Sequence, residues 1–187
     1  MKNALIPVLG IAAYSGTGKT TLLTQLIPLL KKSGLRVGLI KHSHHNFEID
    51  KPEKDSYKLR LAGASPMMLI SSHRRAIITD FDTITEPILD DQLKMLDQTE
   101  LDLVLVEGFK SESFPKIELY RPELQNKLLF PNDNNIIAIA TDSKIKISSN
   151  NTDVSAKELS KITLPTVLDI NNPATIAQFI LTNFLGI

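Results

Sequence analysis

"AYSGTGKT", residues 13–20, decides how the rest of this chain is read. The phosphate-loop template is G-x-x-x-x-G-K-[ST]. Gly18, Lys19 and Thr20 match it, and Ala13 stands where the first glycine is usual. That exchange is tolerated if the backbone at 13 keeps a negative φ. Small residues at Ser15, Gly16, Thr17 and Gly18 let backbone N–H groups curl around phosphate oxygens. Lys19 reaches the β- and γ-phosphates, the Thr20 hydroxyl ligates Mg²⁺, and Thr21 continues a helix whose N-terminus faces the anion. The triplet GKT alone arises by chance, and the alternative is an ordinary strand–turn–helix. The flanks favour the phosphate loop. "LIPVLGIAA", 5–13, reads as a buried strand, and "KTTLLTQLIPLLKK", 19–32, as a helix with Leu22, Leu23, Leu26, Ile27 and Leu30 on one stripe. Pro28 is expected to kink that helix.

Outward from the loop, strands and helices alternate. Gly34 stops the first helix, and "LRVGLIK", 35–41, is a second strand. A short helix covers Lys54–Ala62 and ends at Gly63. "PMMLISS" and "RRAIITDF" are two strands joined tightly at Ser72–His73. Residues 86–97 are helical; "LDLVLVEGF", "KIELY" and "NIIAIAT" are strands at 101–109, 116–120 and 135–141. "DSKIKISSNNTD" is loop-like, "TVLDI" is a last strand and "PATIAQFILTNFL" a last helix opened by Pro173. This order gives an α/β P-loop NTPase fold, with a mostly parallel sheet flanked by helices. The pair around His73 breaks the alternation and reads as an antiparallel β-hairpin insertion at about 66–80 within a single domain, 1–187.

A phosphate loop needs an acid on a neighbouring strand to hold the metal. "LVLVEG" offers Glu107 after four apolar residues, and a solvated strand end is its plainer reading. Asp142 follows "IIAIAT". A carboxylate there suits the N1–H and N2–H₂ donors of guanine, but the N-K-x-D form is missing, and a turn-capping aspartate is the other reading.

"KHSHHNFEIDKPEKDSY", 41–57, places three of the four histidines within four positions. His42 and His44 share a face of an extended chain, and His45 points away. Three readings stand: a metal site completed by Asp50 or Asp55, hydrogen-bonded structural histidines, or a ligand-handling loop. The stretch begins at the carboxyl end of the second strand, where parallel α/β sheets bind ligands. Lys41 and the imidazoles suit an anion there, and Asp50 and Asp55 can act on a metal through water.

The composition narrows the partners. The 187 residues carry no net charge, so no basic field holds nucleic acid. No cysteine is present, which excludes disulfides, thiolate metal sites and cysteine nucleophiles. No apolar run reaches the ~18–20 residues of a membrane span. Residues 1–15 resemble a short leader, but cleavage near Ala13 would cut into the phosphate motif. A cytoplasmic protein is expected.

Three blocks, "AAYSGTGKTTLL", "GLIKHSHHNFEIDKPEKDSYKLRLAGA" and "LDLVLVEGFK", together resemble the family of molybdopterin-guanine dinucleotide biosynthesis adapter proteins, MobB. They span most of residues 8–120, and the middle block is the specific one. The resemblance implies a GTP-binding phosphate-loop fold with Mg²⁺ and a homodimer. It also implies an accessory role in attaching GMP to molybdopterin, beside the molybdenum cofactor guanylyltransferase and the molybdenum-insertion protein. Gly16, Gly18, Lys19, Thr20 and Glu107 fit the family's nucleotide site; Lys41, His42, His44, His45, Asp50, Lys54, Asp55 and Ser56 fit its middle block, with Glu53 where glycine is expected. Slow GTP hydrolysis at most is anticipated. The alternative is a kinase or ligase acting on a small acid, similar to dethiobiotin synthetase, which shares the strand-end "EG". A partition ATPase would carry an early loop lysine where Tyr14 and Ser15 stand.

Overall fold

The computed structural model describes residues 1–43, 46–145, 152 and 165–187. The elements are β1 (Val8–Ala12), α1 (Lys19–Lys32), β2 (Val37–Lys41), α2 (Asp55–Leu61), β3 (Met67–Ile70), β4 (Arg75–Ile78), α3 (Leu89–Met95), β5 (Leu103–Glu107), β6 (Lys116–Tyr120), β7 (Ile136–Thr141), β8 (Thr166–Asp169) and α4 (Pro173–Phe179). The chain divides into two compact units, 1–42 with 88–187, and 43–87.

The larger unit is a six-stranded sheet in the order β2-β5-β1-β6-β7-β8, every pair parallel. Parallel strands need crossovers, and interior ones are covered on both faces. Accordingly β1, β5 and β6 are buried at every residue. On one face Leu9, Ile11, Leu105, Ile117 and Leu119 pack with Leu22, Leu26 and Leu30 of α1 and Ile176 and Ile180 at the C-terminal end. On the other, Val8, Val104 and Val106 pack with Leu89 and Leu93 of α3 and with Phe109 and Phe114. This is the P-loop NTPase arrangement expected from the sequence, with the antiparallel pair β3–β4 as a separate two-stranded sheet.

Several ends differ from the sequence reading, each for a local reason. The helix expected over 86–97 spans only Leu89–Met95. Pro87 disfavours helical backbone at 86, and Ile88 and Leu96 are extended. The strand expected at 101–109 stops at Glu107, because Gly108 and Phe109 both take positive φ, 105° and 50°. The last helix is α-helical only to Phe179 and widens to π-type turns over Ile180–Leu185. Helix α1 runs through Pro28, whose exposed ring lies on the solvent side.

Unit 43–87 is built differently. None of its described apolar side chains is buried. Its centre is Arg60, 9% exposed, which pairs with Glu48, with Asp50 at 3.3 Å and with Asp80 at 3.4 Å, and lies 5.3 Å from the Tyr57 ring centre. The hairpin turns at Ser72–His73, with Ser71 N–H donating to Arg74 O at 2.9 Å.

Candidate functional site

The loop between β1 and α1 is held from within. Gly16 and Gly18 take φ of 79° and 105°, a conformation that strains any residue with a Cβ. Between them Thr17 is buried, and its hydroxyl donates to Tyr14 O at 3.0 Å. Ala13 does not take a positive φ, so its methyl brings no strain and the missing first glycine has no structural cost. Gly18 is the N-cap of α1, and no side chain caps that end. The first-turn N–H groups, those of Thr20 and Thr21 among them, therefore face outward as ready anion donors.

Lys19 stands within reach of the Glu107 carboxylate and of two further lysines, Lys41 and Lys110. Glu107 ends β5 beside β1 and is almost buried; Lys41, at the end of β2, pairs with it at 2.9 Å. The Lys19 ammonium donates to Ala13 O at 3.2 Å and Tyr14 O at 3.0 Å. Burial pushes the Lys19 ammonium below its ordinary pKa; the Glu107 charge opposes this, and the Lys41 and Lys110 charges add to it. Lys110 Nζ sits 5.1 Å from the Tyr14 ring centre. The tight Gly108–Phe109 turn makes this grouping possible, because it folds the chain back directly after Glu107. A Cβ at Gly108 would lie 2.6 Å from that of His42, whose ring stacks on Phe109 at 4.8 Å. The result is a cationic rim on a chain of zero net charge.

A cleft of about 340 Å³ adjoins the loop, lined by Gly16, Gly18, Thr21, Gln25, Arg121 and Asn171 among others. That volume falls in the range of small-molecule sites. Arg121 spans its wall. Nε donates to Thr17 O at 3.2 Å, one terminal nitrogen pairs with Asp142, and the other donates to Asn171 Oδ1 at 3.3 Å. Asp142 itself does not line the cleft; its second oxygen accepts from the Ser143 hydroxyl at 3.1 Å.

The sequence-predicted residues thus fall into groups. Ser15, Gly16, Thr17, Gly18, Lys19, Thr20, Thr21, Lys41, His42, Glu107 and Asp142 lie in the larger unit, at the carboxyl ends of its strands or the start of α1. Asp50, Lys54, Asp55 and Ser56 lie in the other unit. There Asp50 is taken up by Arg60, Lys54 holds the N-cap position of α2 without a side-chain capping bond, and Asp55 and Ser56 form its first turn. His44 and His45 lie outside the described residues. Among the described residues no cluster of three or more His, Asp or Glu is arranged to hold a metal ion. Sequence reasoning passed over Arg121 and Lys110. Each directly follows, or nearly follows, a buried strand end, the position where α/β sheets place ligand contacts.

Residues 8–142 match the family model "MobB: Molybdopterin guanine dinucleotide synthesis protein B". The chain belongs to the MobB family. It is 44% identical over 179 residues to the molybdopterin-guanine dinucleotide biosynthesis adapter protein of Haemophilus influenzae, covering 95% of this chain and 89% of that one. It is 42% identical over 181 residues to the adapter protein of Escherichia coli (strain K12), covering 95% and 93%. A crystal structure of molybdopterin-guanine biosynthesis protein B superimposes with a TM-score of 0.64 at 24% identity, over 94% of this chain and 99% of that one, which shows the shared fold. Membership makes this MobB-family chain an adapter in molybdopterin guanine dinucleotide biosynthesis.

Proposed function

We propose that this adapter binds GTP with Mg²⁺ in the cytoplasm and, as a homodimer, supports the attachment of GMP to molybdopterin beside the guanylyltransferase and the molybdenum-insertion protein. One observation carries the reading. An uncapped helix N-terminus, a glycine-shaped loop and three lysines converge on one rim, next to a cleft of nucleoside size. The triphosphate lies on the loop from Ser15 to Thr21. Lys19 leaves the Ala13 and Tyr14 carbonyls for the β- and γ-oxygens. The donor set fits Mg²⁺: the Thr20 hydroxyl and the Glu107 carboxylate supply oxygen ligands, directly or through water, beside the phosphates. Bound there, the ion neutralises phosphate charge. Lys41, released from Glu107, turns to the γ-phosphate with His42 beside it. Among the described residues no side chain in the rim is arranged as a dedicated general base, and slow hydrolysis at most is proposed. The middle-block residues of the second unit (Asp50, Lys54, Asp55, Ser56, with His44 and His45) are assigned to partner or molybdopterin contacts.

The test is a titration of GTP and ATP with and without Mg²⁺, followed by capture of the guanylyltransferase on the immobilised protein. Mg²⁺-dependent GTP binding and capture are expected. A folded protein that takes no triphosphate would refute the nucleotide role.

The dimer rests on the hairpin. Met68, Leu69, Ile70 and Ile77 are all more than half exposed, and a two-stranded ribbon is marginal in water unless something covers it. A second copy is the proposed cover. Deleting residues 66–80 should give a monomer by light scattering that still binds GTP. A deletion variant that stays dimeric would place the interface elsewhere.

A further inference from the structure

We infer that Arg121, held by Asp142, selects the base of the bound nucleotide by donating to O6 and N7 of guanine, and that Asp142 acts as its positioning residue. This rests on the nucleotide reading above and specifies how the base is told apart. A nucleoside entering the cleft meets Arg121, not the carboxylate, because Arg121 lines the wall and Asp142 stands behind it. A guanidinium carries five N–H donors and no acceptor. Three are engaged among the described residues, on Thr17 O, Asp142 and Asn171. Two remain for a ligand.

Donors alone discriminate purines. Guanine presents acceptors at both N7 and O6; adenine presents the N7 acceptor beside an amino donor, which would face the guanidinium donor to donor. Direct reading by Asp142 would require both its oxygens to leave present partners, Arg121 and the Ser143 hydroxyl. The arginine route breaks neither contact. The same three anchors tie the selecting group to the phosphate loop and to the turn after β8, so it is fixed before the base arrives.

The two routes read different edges of the base, and base analogues separate them. Mg²⁺ complexes of GTP, inosine triphosphate, 7-deaza-GTP and ATP are titrated into the full-length protein. Inosine triphosphate keeps O6 and N7 and should bind within about twofold of GTP, while 7-deaza-GTP and ATP should bind about tenfold or more weakly. Arg121→Ala should lower GTP affinity far more than ATP affinity, so that the GTP-to-ATP ratio falls close to one. Asp142→Ala should lower the GTP-to-ATP ratio, and Asp142→Glu should restore it, which a loss of fold would not allow. Weak inosine triphosphate binding beside tight GTP binding would assign the reading to the N2–H₂ edge and overturn the inference. So would an Arg121→Ala variant that loses GTP and ATP equally, since Arg121 would then only brace the loop. Equal wild-type affinity for GTP and ATP would overturn base selection while leaving the phosphate site standing. Failure to bind any triphosphate would remove the nucleotide reading itself.

Discussion

Lys19→Ala should weaken triphosphate binding by about 1.5–3 kcal/mol, roughly ten- to a hundredfold and more, in a protein that still folds. The ammonium is half-buried at the phosphate loop, not in either core cluster. Its two present acceptors are the Ala13 and Tyr14 carbonyls, which water can serve once the side chain is gone. What cannot be replaced is the positive charge that, on the proposed reading, turns to the β- and γ-oxygens. Lys41 and Lys110 remain and keep some attraction, so the loss is large but finite. A labelled GTP analogue gives the affinity, and a urea unfolding curve checks the fold. A folded variant with unchanged affinity would contradict the site.

The second large effect concerns pH. Glu118 lies on β6 inside the sheet, and burial raises its carboxyl to about 7. The Leu129 and Phe130 N–H groups, which donate to its two oxygens at 2.7 and 2.8 Å, resist that rise; the Asp133 charge assists it. The folded pKa is above the unfolded one. The native state therefore holds a proton that the unfolded chain has lost, over the range from 4.5 to about 7. The contribution to stability is full below pH 4.5 and is lost as pH rises through about 7. At 1.36 kcal/mol per unit the loss is about 3 kcal/mol. Asp133 lies below its ordinary value, because Lys116 and Asn135 outweigh its burial; its contribution fades only in stronger acid. Glu118→Gln places an amide donor against one of the two N–H groups and lowers stability at pH 5. Its curve between pH 5 and 7.5 should nevertheless be flatter than that of the wild type. Parallel curves for the two proteins would refute the assignment.

Where information is local, the sequence carried it. The spacing of Gly16, Gly18, Lys19 and Thr20 is covalent, and so is the apolar run ending at Glu107; these required no knowledge of the sheet. The place of Glu107 beside the loop did depend on the sheet, since β5 enters between β2 and β1, and no periodicity states strand order. Lys116 and Glu118 alternate with Ile117 and Leu119, a pattern that gives no warning that both faces of β6 are covered. Their partners, Asp133 and the N–H groups of 129 and 130, come from a later turn. Asp50 shows the opposite limit. It stood out as a ligand beside the histidines, yet its present partner is Arg60, brought near by α2. Arg121 and Asp142 are separate letters, each one residue past the end of a different strand, and only the parallel pairing of β6 with β7 makes them one device.

The sheet order also sets a clock for synthesis. Strand β1 has two neighbours, and Gly10 faces Val106 on one side and Lys116 on the other. When residues 13–20 leave the ribosome, neither neighbour exists. At about 5–20 residues per second, something on the order of ten seconds passes before Glu107 and β6 can flank the loop. Until then the loop is a flexible segment at the end of an unpaired strand, with its helix stripe uncovered. Nucleotide cannot help the early chain to fold, because the platform that presents the loop is completed only by residues translated much later. On the proposed nucleotide reading, triphosphate binding would therefore mark a chain whose sheet has closed around β1.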